Sequence, residues 1–240
     1  MIEDVVSRLR RQLTADVKRI HVSGHGASAA VALQRLQAVA EHSPAILGLL
    51  AEPWIAGMVS EEVMAVLLHC ARIHLYARVL DDAVDECLPV HRLNLLRAQP
   101  MYWEAVQGIG ALASRDVSRE AVQLVAETVA AVQLDDRRRE PAQWGAKNHH
   151  LLLVPLLLSG GSASYRTCRA GLSTLIALIQ AGDEWRQFEL DELQRRDEFL
   201  SFLCGCLDNN MLGMLSAHGW RGAAERIVWN ARQLLAALSA

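Results

Sequence analysis

The stretch that decides the fold is VMAVLLHCARIHLYARVLDDAVDE, residues 63–86. Its first part, residues 63–80, contains only two charged side chains, Arg72 and Arg78. A run of this length at helical period predicts an α-helix that is apolar on most of its faces. Such a helix belongs in the middle of a bundle, with other helices around it.

The end of this run is strongly acidic. Asp81, Asp82, Asp85 and Glu86 place four carboxylates in six positions, and Pro89 follows closely. Asp81 and Asp85 lie one helical turn apart on one face, as do Asp82 and Glu86 on another. The cluster falls in the last turn, where the helix already carries partial negative charge, so it calls for a compensating cation. Carboxylate oxygens at this spacing suit Mg²⁺, which commonly shares its coordination shell with substrate phosphate.

Length and composition indicate one domain that covers residues 1–240. The chain is 52% hydrophobic, which is ample for one core, and no linker or low-complexity tract divides it. The net charge of −3 argues against a nucleic-acid surface. The five cysteines lack metal-site spacing, so we expect most of them to be reduced core thiols.

We expect no secretory signal, because residues 1–20 are amphipathic and charged throughout. The longest apolar stretch, Leu151 to Leu158, is too short to span a membrane. These observations predict a soluble, cytoplasmic protein without a membrane span.

Nearly every segment has helical periodicity, and no alternating strand pattern is convincing. The sequence therefore predicts an all-α, single-domain bundle. We expect helices near residues 2–20, 27–42, 44–51, 60–87, 92–113, 117–134, 141–158, 163–188, 192–217 and 220–238.

A second group of oxygen ligands is needed, because one acidic turn rarely holds several Mg²⁺ ions and a diphosphate. The segment from Gln180 to Asp191 closes another apolar run. In it, Asp183, Gln187 and Asp191 follow each other at i, i+4 and i+8, along one helix face. An acidic alternative, Asp208, is followed by two asparagines but by no oxygen ligand at one-turn spacing.

Basic residues lie between the two acidic segments. Arg137 belongs to the charged run of residues 135–140, and Lys147 follows shortly after it. Arginine and lysine bind the phosphate oxygens that metal ions leave free. The spacing therefore makes Arg137 and Lys147 candidates for binding a diphosphate, although a solvated charge run would also explain residues 135–140.

These motifs resemble those of the class I isoprenoid synthases, the trans-prenyltransferases and class I terpene cyclases. Residues 78–86 look like their first aspartate-rich motif, DDxxD, and Lys147 resembles the diphosphate-binding lysine of the prenyltransferases. Residues 180–191 resemble both the second motif of the prenyltransferases and the metal-binding triad of the cyclases. Arg137 lies 46 residues before Asp183, about the spacing of a phosphate-sensing arginine in many cyclases. The resemblance spans roughly residues 60–192 of this small, divergent chain.

The resemblance implies a helical bundle around a central apolar cavity and a Mg²⁺-dependent reaction. An allylic prenyl diphosphate would be ionised to a carbocation with release of diphosphate, as in a carbon–oxygen lyase of isoprenoid biosynthesis. The implied metal ligands are Asp81, Asp82, Asp85, Asp183, Gln187 and Asp191. Trp54, Trp103, Trp185 and Phe202 are candidates for lining the cavity, where aromatic faces stabilise a cation. Homodimers are common in the family, so a dimer is an expectation by analogy.

The departures from the family pattern favour a terpene synthase over a prenyltransferase. No paired arginines follow the first motif and no upstream Gly-Lys-x-Arg is present. Those basic groups bind the second diphosphate in chain-elongating enzymes. A prenyltransferase remains the first alternative, and a catalytically silent subunit of a synthase remains the second, because the second motif is degraded. A di-iron bundle would need Glu-x-x-His pairs, and no histidine here has an acidic residue three positions before it.

Overall fold

A computed structural model describes residues 2–22, 27–55, 60–85, 89–132, 141–184 and 193–239. Within these ranges the protein is all-α, as the sequence predicts, and no strand occurs in them. The α-helices in chain order are α1 Ile2–Ile20, α2 Ala27–Leu50, α3 Glu52–Ile55, α4 Glu61–Asp85, α5 Pro89–Leu112, α6 Arg115–Val132, α7 Leu153–Ser159, α8 Ala163–Glu184, α9 Leu193–Gly205, α10 Asn209–Ala217 and α11 Arg221–Ser239. A 3₁₀ helix, Pro141–Leu152, precedes α7.

Helix α4 is the apolar run of residues 63–80 together with its acidic end. Ser60 precedes it and accepts a hydrogen bond from the Val63 N–H at 3.1 Å, which satisfies one of the free donors of the first turn. The helix contacts α1, α2, α5, α7 and the 3₁₀ helix. Leu67, Ala71 and Leu75 are completely buried. The prediction of a long apolar helix inside the bundle is therefore confirmed.

By length and composition, α4 is also the one helix within the described ranges that could cross a membrane, over Glu61–Val84. The sequence predicts no membrane span, with Leu151 to Leu158 as its longest apolar stretch. Core helices pass the same test, and α4 is packed against five neighbouring elements.

The structure divides the chain into helices differently from the prediction at Pro44 and at Asp208. Helix α2 continues through Pro44, where the sequence predicts a break, and the proline is buried inside the bundle. The predicted helix 192–217 is divided into α9 and α10. Asp208 caps α10 by accepting the Asn210 N–H at 2.7 Å, which explains this carboxylate as a helix cap.

The segment predicted as a helix over residues 141–158 begins as a 3₁₀ helix of 12 residues. Runs of this length are uncommon, because 3₁₀ hydrogen bonds have poorer geometry than those of an α-helix. The segment packs mainly against α6 and α8. At Gly145 a Cβ atom would stand 2.8 Å from the backbone nitrogen of Ala177 in α8. The 3₁₀ helix and α8 therefore approach each other at a distance that only glycine allows.

The two ends of the chain contribute to one apolar core, whose buried residues run from Val5 to Leu238. Helix α11 is attached to the α2–α3 junction. The indole N–H of Trp220 donates to the Leu50 carbonyl at 2.9 Å, and Glu52 accepts the Gly222 N–H at 2.8 Å. The carboxylate also lies at the positive end of the α11 dipole.

Two surface clefts are lined by described residues. One, of about 540 Å³, lies between α1 and the first half of α4, and the other, of about 490 Å³, lies between α10 and α11. Neither includes the acidic end of α4. The central apolar cavity and the single-domain organisation stay predictions.

Candidate functional site

The acidic end of α4 is a cluster of carboxylates and guanidinium groups. Asp82 is only 3% exposed. Its Oδ1 accepts hydrogen bonds from Arg78 at 2.7 Å and from Arg35 at 3.2 Å. Arg78 also lies 3.1 Å from Asp81 Oδ2, so its planar group bridges both carboxylates. The two arginines offset the repulsion that the sequence predicts for this turn.

Arg35 is the residue that the sequence analysis missed. It lies on α2, 47 positions before Asp82, and no local spacing links the two. The sequence did contain one indication, because Arg35 is the only arginine in α2, which has no lysine. A lone arginine in an apolar helix needs a carboxylate or a polar surface, since burial of an unpaired charge is costly.

Asp81 and Asp82 differ in what they can offer a ligand. The Asp81 side chain is 16% exposed and the Asp82 side chain is 3% exposed. Asp85 follows Asp81 by one turn and ends α4, but its side chain lies outside the described part, as does all of Glu86. Asp81 is therefore the described carboxylate of the motif with the most room for a further partner.

The second acidic segment is described only in part. Asp183 lies in the last turn of α8, and its side chain is outside the described part. Gln187, Asp191, Trp185 and Arg137 also lie outside the described residues. Their predicted roles stay predictions.

Lys147 lies on the 3₁₀ helix in a partly buried position. That helix contacts both α4 and α8. Next to Lys147, the side-chain N–H of Asn148 donates to Gln180 Oε1 at 2.8 Å. Gln180 begins the second predicted segment, so the 3₁₀ helix links α4 to the end of α8.

A pair of histidines joins α4 to the 3₁₀ helix, and its member on α4 lies one turn before Arg78. His74 Nδ1 of α4 lies 2.7 Å from His150 Nε2 of the 3₁₀ helix. The ring centroids are 4.9 Å apart and the planes are inclined by 25°. On the far side, His150 Nδ1 lies 3.3 Å from the hydroxyl of Thr128 in α6. Three elements are therefore connected by one chain of polar side chains.

Both imidazoles are neutral at neutral pH. Burial lowers the pKa of His74 to about 4, and the nearby Arg78 charge acts in the same direction. Burial also holds the pKa of His150 well below its usual value, assisted by His74, although a hydrogen bond to the Lys147 backbone opposes the shift. Neutral rings can donate at one nitrogen and accept at the other.

Of the aromatic residues expected to line a cavity, the three that the structure describes lie on three different helices, α3, α5 and α9. Trp54 packs edge-on against Trp220, with ring centroids 5.6 Å apart, beside α11. Trp103 is 57% exposed on α5, so it does not line an interior cavity. Phe202 of α9 stacks near Phe199.

The described side chains at the end of α4 can be compared with the ligands that Mg²⁺ requires. Among them, no three His, Cys, Asp or Glu residues converge on one point. The donor chemistry at Asp81 nevertheless fits Mg²⁺, a hard cation that takes one or two protein carboxylates and completes its shell with water and phosphate oxygens. Asp82 fits less well, because two guanidinium groups already occupy Oδ1.

A scan against models of known protein families found no match, and neither did searches of the curated proteins and of solved structures.

Proposed function

We propose that this protein is a Mg²⁺-dependent class I terpene synthase that ionises an allylic prenyl diphosphate and releases diphosphate. One observation carries the proposal: the DDxxD-like turn ends a buried apolar helix, and its aspartates lie beside two arginines from different helices. Carboxylates for a metal and guanidinium groups for phosphate oxygens are both needed to bind a diphosphate.

The aspartates divide into two roles. Asp81 and Asp85 would hold Mg²⁺ on one helix face, one turn apart. Asp82, which is buried and already paired, would instead hold Arg35 and Arg78 in position. When bound, the metal supplies positive charge that stabilises the leaving diphosphate.

The arginines would bind the substrate. Arg78 lies between Asp81 and Asp82, so its group can exchange the less buried Asp81 for a diphosphate oxygen while Asp82 keeps it oriented. Bidentate guanidinium–phosphate contacts would fix the diphosphate at the end of α4. The apolar helices would exclude water from the carbocation.

The residues proposed to face the end of α4 rest on the family resemblance and on the position of Lys147. Lys147 would bind diphosphate from the 3₁₀ helix, which contacts α4. Asp183, Gln187 and Asp191 would supply further metal ligands, and Arg137 would contact phosphate.

One observation favours the silent-subunit alternative. A carboxylate that already has two guanidinium partners, as Asp82 does, has less need of a metal ion than a free one. Activity measurements therefore have to separate a working site from an internally neutralised one.

The test is incubation of purified protein with geranyl, farnesyl and geranylgeranyl diphosphates, each with and without Mg²⁺ and isopentenyl diphosphate. Diphosphate release and organic products are both followed. Asp81→Asn removes one charge without changing the size of the side chain. Asp116→Asn is the matched control, because Asp116 also lies near an arginine three residues away but is 89% exposed on α6.

We expect a Mg²⁺-dependent hydrocarbon or alcohol without isopentenyl diphosphate, lost in Asp81→Asn and kept in Asp116→Asn. Longer diphosphates formed only with isopentenyl diphosphate would replace the synthase proposal by the prenyltransferase alternative. No turnover of any substrate would favour the silent subunit.

A further inference from the structure

His74 occupies the same face of α4 as the aspartate motif. It precedes Arg78, Asp81 and Asp82 by four, seven and eight positions, so the four side chains follow one another along the helix surface. As a whole residue, His74 is partly buried. A substrate whose diphosphate lies at Asp81, and whose hydrocarbon chain follows this face of α4, would pass beside His74.

The hydrogen bonds around His150 decide which nitrogen of His74 carries the proton. The Thr128 hydroxyl donates to the Leu124 carbonyl at 3.1 Å, so its oxygen accepts from other groups. One of these is the backbone N–H of His150, at 2.9 Å. The imidazole Nδ1, 3.3 Å away, must then carry a proton to make a favourable contact with the same oxygen.

The proton on His150 Nδ1 determines the direction of the remaining hydrogen bond, between His150 and His74. In a neutral ring, His150 Nε2 is then the acceptor. His74 Nδ1 lies 2.7 Å from it and therefore donates its proton. Consequently the other nitrogen of His74, Nε2, carries a lone pair and no proton. The buried network selects one tautomer, as hydrogen bonding to one ring nitrogen commonly does.

We propose that His74 Nε2 is the base that ends the reaction by removing a proton from the substrate carbocation, with His150 and Thr128 as positioning residues. This inference rests on the proposed function. The C–H bond next to the cationic carbon breaks, and its electron pair forms the double bond of the product. The proton passes to Nε2 and then to water, while the negative charge stays on the released diphosphate.

The surroundings of His74 suit this role. Burial and the Arg78 charge keep the imidazole neutral, so its lone pair is available at neutral pH. Because the neutral imidazole carries no positive charge, it does not compete with the metal ion for the diphosphate. Protons next to a carbocation are strongly acidic, so a weak base in the right position is sufficient.

The experiment compares His74→Asn with the wild type. An asparagine amide nitrogen can replace Nδ1 as the donor to His150, but nothing replaces Nε2. Diphosphate release and the fraction of deprotonated olefin among the products are measured together, and thermal unfolding checks the fold. His218→Asn is the control, because His218 also has its Nδ1 near a hydroxyl, Ser164 at 2.9 Å, but it is exposed.

We expect His74→Asn to keep diphosphate release within about threefold, while the ratio of olefin to water-trapped alcohol falls by about tenfold or more. Thr128→Val should shift the ratio in the same direction, and Thr128→Ser, which keeps the hydroxyl, should restore it. If His74→Asn does not fold, the olefin-to-alcohol ratios of the two Thr128 variants still test the base role of His74.

Three results would overturn the inference. An unchanged olefin fraction in folded His74→Asn and in Thr128→Val would remove the base role and leave the proposed function intact. Loss of diphosphate release in folded His74→Asn would place His74 in ionisation instead. No diphosphate release by the wild type would refute the proposed function, and the base role with it.

Discussion

Substitution of Gly145 by alanine tests the contact that holds the 3₁₀ helix in place. The added Cβ would stand 2.8 Å from the Ala177 nitrogen and 2.9 Å from its Cα. Both atoms belong to the backbone of α8, so no side-chain rotation relieves the contact. The 3₁₀ helix carries Lys147 and His150, and any displacement of it would be transmitted to the site.

The size of the effect follows from this distance. Ordinary Cβ contacts begin at 3.4 Å, so the two backbones would have to separate by about 0.6 Å, a strain of the overpacking kind that costs about 1–3 kcal/mol. Replacement of glycine also lowers the conformational entropy of the unfolded chain, which stabilises the folded state by about 0.4–1 kcal/mol. The expected net loss is about 1–2 kcal/mol, or a fall in Tm of about 2–8 °C for a chain of this length.

The assay is urea and thermal unfolding followed by far-UV circular dichroism. Gly213→Ala is the matched control, because Gly213 is an exposed position inside α10 with no atom within 4 Å of the new Cβ. It should raise stability by about 0.5–1 kcal/mol. If Gly145→Ala were as stable as Gly213→Ala, the close approach of the 3₁₀ helix to α8 would be refuted.

Three further predictions concern ion pairs, caps and pH. Arg35→Met should lower the free energy of unfolding by about 1–2 kcal/mol in urea titrations, because Asp82 keeps only one arginine; an unchanged midpoint would show that the pair with Arg35 contributes nothing. Glu52→Ala should cost about 1–2 kcal/mol through loss of the acceptor at the start of α11, and an equally stable variant would contradict the cap. His74 and His150 have lowered pKa values in the folded state, so the unfolded chain binds more protons below pH 6.5. Their contribution is therefore complete above pH 6.5 and is lost as the pH falls below it, for His74 towards its pKa of about 4, by up to about 1.4 kcal/mol per pH unit for each ring. A flat urea midpoint between pH 7.5 and 5.5 would contradict it.

Hydrophobic periodicity was sufficient to predict the all-α class and the central place of α4. It failed where local chemistry overrides the pattern. Pro44 marks a break in sequence, yet α2 continues through it because the surrounding helices bury that segment. Helix α9 ends at Gly205 and Asp208 caps α10, inside a continuous apolar pattern. A 3₁₀ helix and an α-helix of 12 residues also have periods too similar to separate by apolar spacing.

The site was predictable only where its residues are close in sequence. The carboxylates of residues 81–86 could be recognised by spacing alone. Arg35 joins Asp82 across 47 positions, and His74 meets His150 across 76. Such contacts depend on how α2 and the 3₁₀ helix pack on α4, which helical period does not specify.

The most direct test of the central claim is Mg²⁺-dependent diphosphate release from geranyl diphosphate and from its analogue with the allylic double bond saturated. Ionisation needs the allylic double bond to stabilise the cation, whereas hydrolysis at phosphorus does not. We expect release of diphosphate from the allylic substrate alone, only with Mg²⁺, and loss of this release in Asp81→Asn. Equal release from both substrates, or none from geranyl, farnesyl and geranylgeranyl diphosphates, would contradict it.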